Sequence, residues 1–260
     1  LNILVFDIET IPDVELGRKL LELDAEVEDK EAGEAMFAAR REKTGGSDFL
    51  ALHQHRVAAI SGVFRGKDTL RIQSFGDPSD GEAEIIRRFF GFIEKFTPML
   101  VSWNGGAFDL PVLHYRALRH GIASPTYWDT GEQDQGFKWN NYLSRYHQRH
   151  TDLMDTLSAY QPRAVAPLDE VAQMLGLPGK MGMHGGKVWE AFQSGEIEAI
   201  RNYCETDVLN TYLVFLRFEL IRGHLSEDGY LRECSIVKDR IRDEGRPHLL
   251  AYLEAWERME

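Results

Sequence analysis

Cysteine is scarce in this chain: Cys204 and Cys234 are the only two among 260 residues. They show no metal-ligand spacing and make no disulfide framework, which fits reduced thiols in a reducing compartment. There is no apolar run of about 18 residues, and the N-terminus has no basic segment leading into an apolar one. Neither a membrane span nor a secretory signal is therefore supported, and the expectation is a cytoplasmic protein with no membrane partner. A record that begins at Leu1 is also expected to lack at least an initiator residue. Positive charge is in deficit: 30 Lys and Arg stand against 42 Asp and Glu, a net charge of −12. That balance argues against a protein that coats nucleic acid through a broad basic surface, but not against an enzyme gripping a short end. Much of the deficit is local, since residues 13 to 31 hold eight acidic side chains and three basic ones.

What is present begins with VFDIET at residues 5 to 10. Leu1 to Ile8 is an apolar, β-branched run of the kind that forms an inner strand, closed by Pro12. Side chains alternate across a strand, so Asp7 and Glu9 point to one face. Two like charges on a covered face lose hydration and repel, which costs several kcal/mol unless something positive compensates.

The acidic segment that follows carries Leu16, Leu20, Leu23 and Val27 at helical spacing, and residues of about 13 to 50 read as an insertion. RVAAISGVF (56 to 64) and TLRIQSF (69 to 75) read as a hairpin across the turn RGKD. Apolar periodicity from Gly81 to Phe96 predicts a helix, and PMLVSW (98 to 103) a buried strand. NGGAFDLP (104 to 111) turns into a helix through Arg119. Then come TDLMDTL (151 to 157), a helix from Leu168 to Leu175, a glycine-rich loop at 179 to 187, and a helix from about Glu196 to Arg222. Two helices split at Gly245 to Pro247 complete the chain. The division expected is one domain over 1–223 and a helical extension, 224–260, packed on it.

The long helix has an apolar stripe through Ile200, Cys204, Val208, Thr211, Phe215 and Phe218, with Asp207 at its edge. Tyr203 lies four residues before Asp207, on the same helix face. Each acid alone has a plain reading: Asp109 as a helix cap, Asp7 and Glu9 at a solvated strand end, Asp207 on a slightly rotated helix. Together, Asp7, Glu9, Asp109 and Asp207 can converge above one sheet. Four acids in one place call for hard divalent cations, and oxygen-only ligation favours Mg²⁺ or Mn²⁺ over zinc.

These pieces, in this order, resemble the DEDD superfamily of 3′-to-5′ exonucleases. FDIET matches its acid-x-acid motif, NGGAF followed by Asp109 its second motif, and YCETD its third, in the branch that carries tyrosine. HRVAAIS, VSWNGGAFDLPVL, RHTDLMD and YCETDVLNTYLVFLRF are similar to bacterial stand-alone exonucleases related to the exonuclease domain of family B DNA polymerases. The resemblance implies an α/β, ribonuclease H-like fold, with a mixed central sheet flanked by helices and its first three strands antiparallel. It implies hydrolysis of the terminal phosphodiester at a nucleic acid 3′ end, single-stranded DNA in preference to RNA, with two divalent cations, Mg²⁺ or Mn²⁺. Asp7 would bridge both cations, Glu9 and Asp207 would complete one site, and Asp109 would hold the second. Tyr203 would orient the attacking water and assist its deprotonation. No polymerase domain is expected within this length.

For substrate grip, FKWNNYLSRYHQRH (137 to 150) interleaves Lys138, Arg145 and Arg149 with Trp139, Tyr142 and Tyr146. That alternation suits stacked bases and neutralised phosphates, or else aromatics that pack the loop onto the domain. Thr10, beside the first motif, is expected to touch the terminal nucleotide. Asn104 either positions substrate or satisfies its turn, and Phe108 is counted with the substrate-binding side chains. Lys180 and Lys187 could also reach phosphates, though a solvated loop lysine is the plainer reading of each; His184 reads as a loop histidine, and Asp152 and Asp155 as turn or cap residues. Two rivals remain, a non-catalytic binding module of the same fold and a metal-dependent nucleotide phosphatase.

Overall fold

The computed structural model describes residues 2–259. Five strands form one mixed sheet, ordered β3-β2-β1-β4-β5. The strands β1 (Ile3–Pro12), β2 (His55–Arg65) and β3 (Leu70–Ser74) are successively antiparallel. β4 (Met99–Ser102) runs parallel to β1, and β5 (His150–Asp152) parallel to β4. The expected hairpin and the expected strand at 98 to 103 are therefore present. Leu1 lies outside the described residues. Pro12 closes the first strand as expected, and β1 pairs with β2 as far as Pro12 opposite His55. The register shifts between Glu9 and Thr10, where Glu9 faces Ala59 and Thr10 faces Val57, leaving Ala58 as the extra residue of a bulge.

Alternation along β1 sorts its side chains between two cores. Leu4, Phe6 and Ile8 are buried with Ile85, Ile86, Phe89 and Phe90 of α3 (Glu82–Phe96) and Leu110 and Leu113 of α4 (Asp109–His120). α5 (Pro125–Trp128) adds Tyr127 to the same layer. Val5 faces the opposite core, built on α9 (Ile197–Ile221), and residues 7 and 9 share its side of the strand. Two carboxylates are thereby aimed at the layer occupied by α9.

α9 is not the one-striped helix that the sequence suggests. Every residue from Tyr203 to Leu216 is buried, because α10 (Glu227–Glu244) and α11 (Pro247–Glu257) cover the side turned away from the sheet. Val237, Ile241, Leu249, Tyr252 and Trp256 join the core of α9 and the sheet. Its polar residues are consequently paired internally. Glu205 accepts from Ser74, Arg246 and His248, which holds its carboxyl below the usual range against the opposing effect of burial. α7 (Leu168–Met174) lies on the same side, and α6 (Leu153–Leu157) follows β5 directly.

The acidic insertion folds as two helices, α1 (Val14–Leu20) and α2 (Asp29–Thr44), rather than one continuous segment. Asp13 caps α1 and receives a buried ion pair from Arg116, which also grips Glu82. α8 (Val188–Gln193) follows the glycine-rich loop. Among the described residues no helix is long and apolar enough to cross a membrane.

Candidate active site

β4 accompanies β1 only along Ile3–Val5, so the sheet opens beyond that point and Ile8 needs another partner for its N–H on that side. Asp109 supplies it: Oδ1 accepts from the Ile8 N–H at 3.1 Å. Asp109 is the first residue of α4 rather than its cap, which is Phe108. The turn that delivers it is tightly built. Asn104 adopts a left-handed conformation with φ of 65°, and a Cβ on Gly105 would lie 2.3 Å from Ser102 Oγ. Asp152 accepts from the N–H groups of Asn104 and Gly106, both at 2.9 Å, and caps α6 as expected of a cap residue.

Asp7 and Glu9 lie at the open end of β1, and Asp207 approaches from α9. Burial pushes the carboxyls of Asp7 and Glu9 well up, and the charges of Asp109 and Asp207 add to this in both. Burial also raises Asp109 to about 7 and Asp207 to about 6. The hydroxyl of Tyr203, itself 5 % exposed, lies beside the Asp207 carboxylate and acts to lower its pKa. Burial and the charges of Asp207, Glu9 and Asp7 push this phenol far above its ordinary range. Asp207 is 7 % exposed, and its Oδ1 is buried with no hydrogen-bond partner. An ionised oxygen in that condition fits a cation ligand and little else. Five residues expected at the site, Asp7, Glu9, Asp109, Tyr203 and Asp207, are thus brought together by three separate elements.

Beside Glu9 opens a cleft of about 620 Å³. Thr10 and Phe108 line it, as does the glycine-rich loop through Lys180 and His184. The Thr10 hydroxyl is already engaged, 2.9 Å from His55 Nδ1, while His55 Nε2 donates to the Leu50 carbonyl at 3.3 Å. Lys180 lies close enough to Glu9 and Asp207 for its charge to oppose the rise of both carboxyls. The insertion also lines it, through Phe37, Phe49 and Leu50. Sequence reasoning set that insertion aside. The signal it held was an isolated FL pair just before β2, too short to show periodicity.

The loop at 137 to 150 does not supply the cleft. Tyr142 is corrected from a base-stacking residue to a core one: it is 2 % exposed, stacks on Tyr127 at 5.3 Å, and donates to the Pro98 carbonyl at 2.6 Å. Pro98 precedes β4, at the end of the parallel strands opposite to Glu9. Trp139 is 78 % exposed with Lys138 over its ring. Arg145 pairs with Asp155 at 2.7 Å and lies against Tyr146 and Tyr160. Neither Lys138, Trp139 nor Arg145 lines the cleft. Cys204 is a further residue the sequence reading left out of the site: its thiol lies 3.4 Å from the Asp7 carbonyl and 3.7 Å from Oδ2.

Residues 47–256 match a family described as "Predicted 3'-5' exonuclease related to the exonuclease domain of PolB". The chain belongs to this family. It is also 28 % identical over 136 residues to a DNA polymerase of Archaeoglobus fulgidus, a stretch of 51 % of this chain and 17 % of that protein. It is 35 % identical over 60 residues to DNA polymerase 1 of Sulfolobus acidocaldarius, covering 23 % of this chain and 6 % of that protein. The matches thus span a small fraction of either polymerase. The five-stranded mixed sheet flanked by helices accords with a ribonuclease H-like exonuclease fold. β1, with Asp7 and Glu9, precedes the stretch matched by the family, whereas Asp109, Tyr203 and Asp207 lie within it.

Proposed function

We propose that the chain removes nucleotides from the 3′ end of single-stranded nucleic acid, DNA in preference to RNA, using two divalent cations, Mg²⁺ or Mn²⁺. The observation that carries this is the set of four convergent acids, with raised carboxyls and an unpartnered, buried Asp207 Oδ1. Asp7, Glu9 and Asp207 would hold one cation, and Asp7 with Asp109 the other. When bound, such a pair supplies acidity to the attacking water and offsets charge on the leaving oxygen. Tyr203 holds Asp207 and presents a hydroxyl toward the acids, so it orients by donating. Asp109, tied to the Ile8 N–H, keeps its group fixed relative to β1. The DNA preference rests on the two polymerase relatives.

The test is a time course on 5′-labelled DNA and RNA strands, each with Mg²⁺, Mn²⁺ and chelator. A ladder that keeps its 5′ label and shortens stepwise, faster on DNA and absent with chelator, is expected. Release of inorganic phosphate from mononucleotides without a ladder would assign the site to a phosphatase. Binding without any product would assign it to a recognition module.

A further inference from the structure

We infer that the acidic insertion is a working wall of the site, and that Phe49 and Lys180 clamp the unpaired 3′-terminal nucleotide between them. This rests on the exonuclease reading for the identity of the ligand. Phe49 is 55 % exposed, yet it is not loose. Its carbonyl accepts from Arg40 Nε of α2 at 2.8 Å, and its ring lies 5.3 Å from His55 and 5.5 Å from Phe108. An exposed ring held from behind is a stacking platform with little ordering cost left to pay.

Lys180 lines the same cleft, and its backbone is firmly anchored. Its N–H donates to Asp169 Oδ1 at 2.6 Å, and the preceding Gly179 carbonyl accepts from Asn210 Nδ2 at 2.8 Å. Asn210 in turn accepts from the Tyr252 hydroxyl at 2.7 Å, so α11 braces the loop through α9. Gly179 has φ of 67°, and a Cβ there would lie 2.3 Å from Asp169 Oδ1, so the brace requires glycine. The two walls meet where α2 packs on α8: a Cβ on Gly33 would come within 3.0 Å of the Trp189 indole nitrogen. The cleft of 620 Å³ is in the size range of small-molecule sites, roughly 300 to 1,000 Å³. It accommodates an end nucleotide.

The experiment uses the full chain carrying Asp7→Ala, in chelator, with oligonucleotides bearing 2-aminopurine at the 3′ terminus or five positions inward. The terminal probe is expected to be quenched on binding and the inner one not. Phe49→Ala in this background should abolish the quenching and weaken binding roughly 5- to 150-fold, the range for loss of a base-stacking aromatic. Phe49→Trp should preserve both. Lys180→Ala should keep the quenching and reduce the salt dependence of binding by about one phosphate contact. A blunt duplex carrying the same terminal probe should bind at least tenfold more weakly. The inference is overturned if the terminal probe is never quenched, if Phe49→Ala behaves as its parent, or if the duplex binds equally well. A chain that quenches the terminal probe but whose wild type never shortens a strand would keep the clamp and remove the exonuclease. A wild type that shortens strands while Phe49→Ala binds unchanged would do the reverse.

Discussion

Tyr203 shows what a single hydroxyl contributes when acids surround it. Burial and the neighbouring acids push its phenol far above the ordinary range, and the role proposed for it is to donate toward Asp207. Tyr203→Phe keeps the ring in its core with Ile11 and Ile200 and removes only the donor. Turnover should fall about 10²-fold with little change in oligonucleotide affinity, measured by single-turnover rates and by binding. Equal turnover and a lower melting temperature would make Tyr203 a packing residue. Asp207 yields a prediction about pH. Its folded pKa, about 6, exceeds the ordinary 3.8, so the native state binds more protons than the unfolded one between those values. Stability from this group is therefore present at low pH and falls as pH rises from about 4 through 6. In chelator, Asp207→Asn should gain on wild type across that window, by on the order of 3 kcal/mol, and level off above pH 7. A stability difference that is flat with pH in thermal melts would show that Asp207 carries no burial penalty. At this scale the acids were legible because three short motifs coincide in order. Phe49 and Cys204 were not, since an aromatic and a thiol have plain packed readings until neighbours far along the chain are known, and Lys180 stood only as a loop lysine able to reach a phosphate.

Elements, rather than residues, account for the largest corrections. An alternation of aromatic and basic side chains at 137 to 150 has the same appearance whether the rings face bases or a core, because it records spacing and not depth. Tyr142 faces the core and Trp139 faces solvent. Tyr142→Ala should accordingly destabilise the fold by about 3 kcal/mol or more in denaturant titration, as expected for emptying a buried aromatic site, whereas Trp139→Ala should leave stability within about 0.5 kcal/mol. If the two cost the same, the assigned burial of this loop is wrong. β1 illustrates the opposite case. Its apolar run, its alternation and Pro12 predicted the strand, its end and the shared face of Asp7 and Glu9, but not the bulge at Ala58, which belongs to the partner strand. α9 was read with one apolar stripe for a similar reason: the helices that bury its other side come later in the chain, and its internal pairs Glu205 with Arg246 and Asn210 with Tyr252 are long-range.

For the molecule as a whole, the net charge of −12 and the crowding of four acids at one sheet end have a common consequence. A native state that carries such a cluster gains stability from whatever binds it as a divalent cation and does not bind the unfolded chain. Mn²⁺ at about 100 times its dissociation constant should contribute about 2.7 kcal/mol, raising the melting temperature by roughly 5 to 10 °C. Asp7→Ala should respond far less, and without metal should melt no lower than wild type, since a repelling carboxylate has gone. The central claim is that these acids together drive hydrolysis at a 3′ end, and Asp7 is the side chain assigned to both cations. Its most direct test is the single-turnover shortening of a 5′-labelled DNA strand in Mn²⁺ by wild type and by Asp7→Ala. The account predicts a stepwise ladder from the wild type and none from the variant over the same period. A variant that shortens the strand at near the wild-type rate would contradict it.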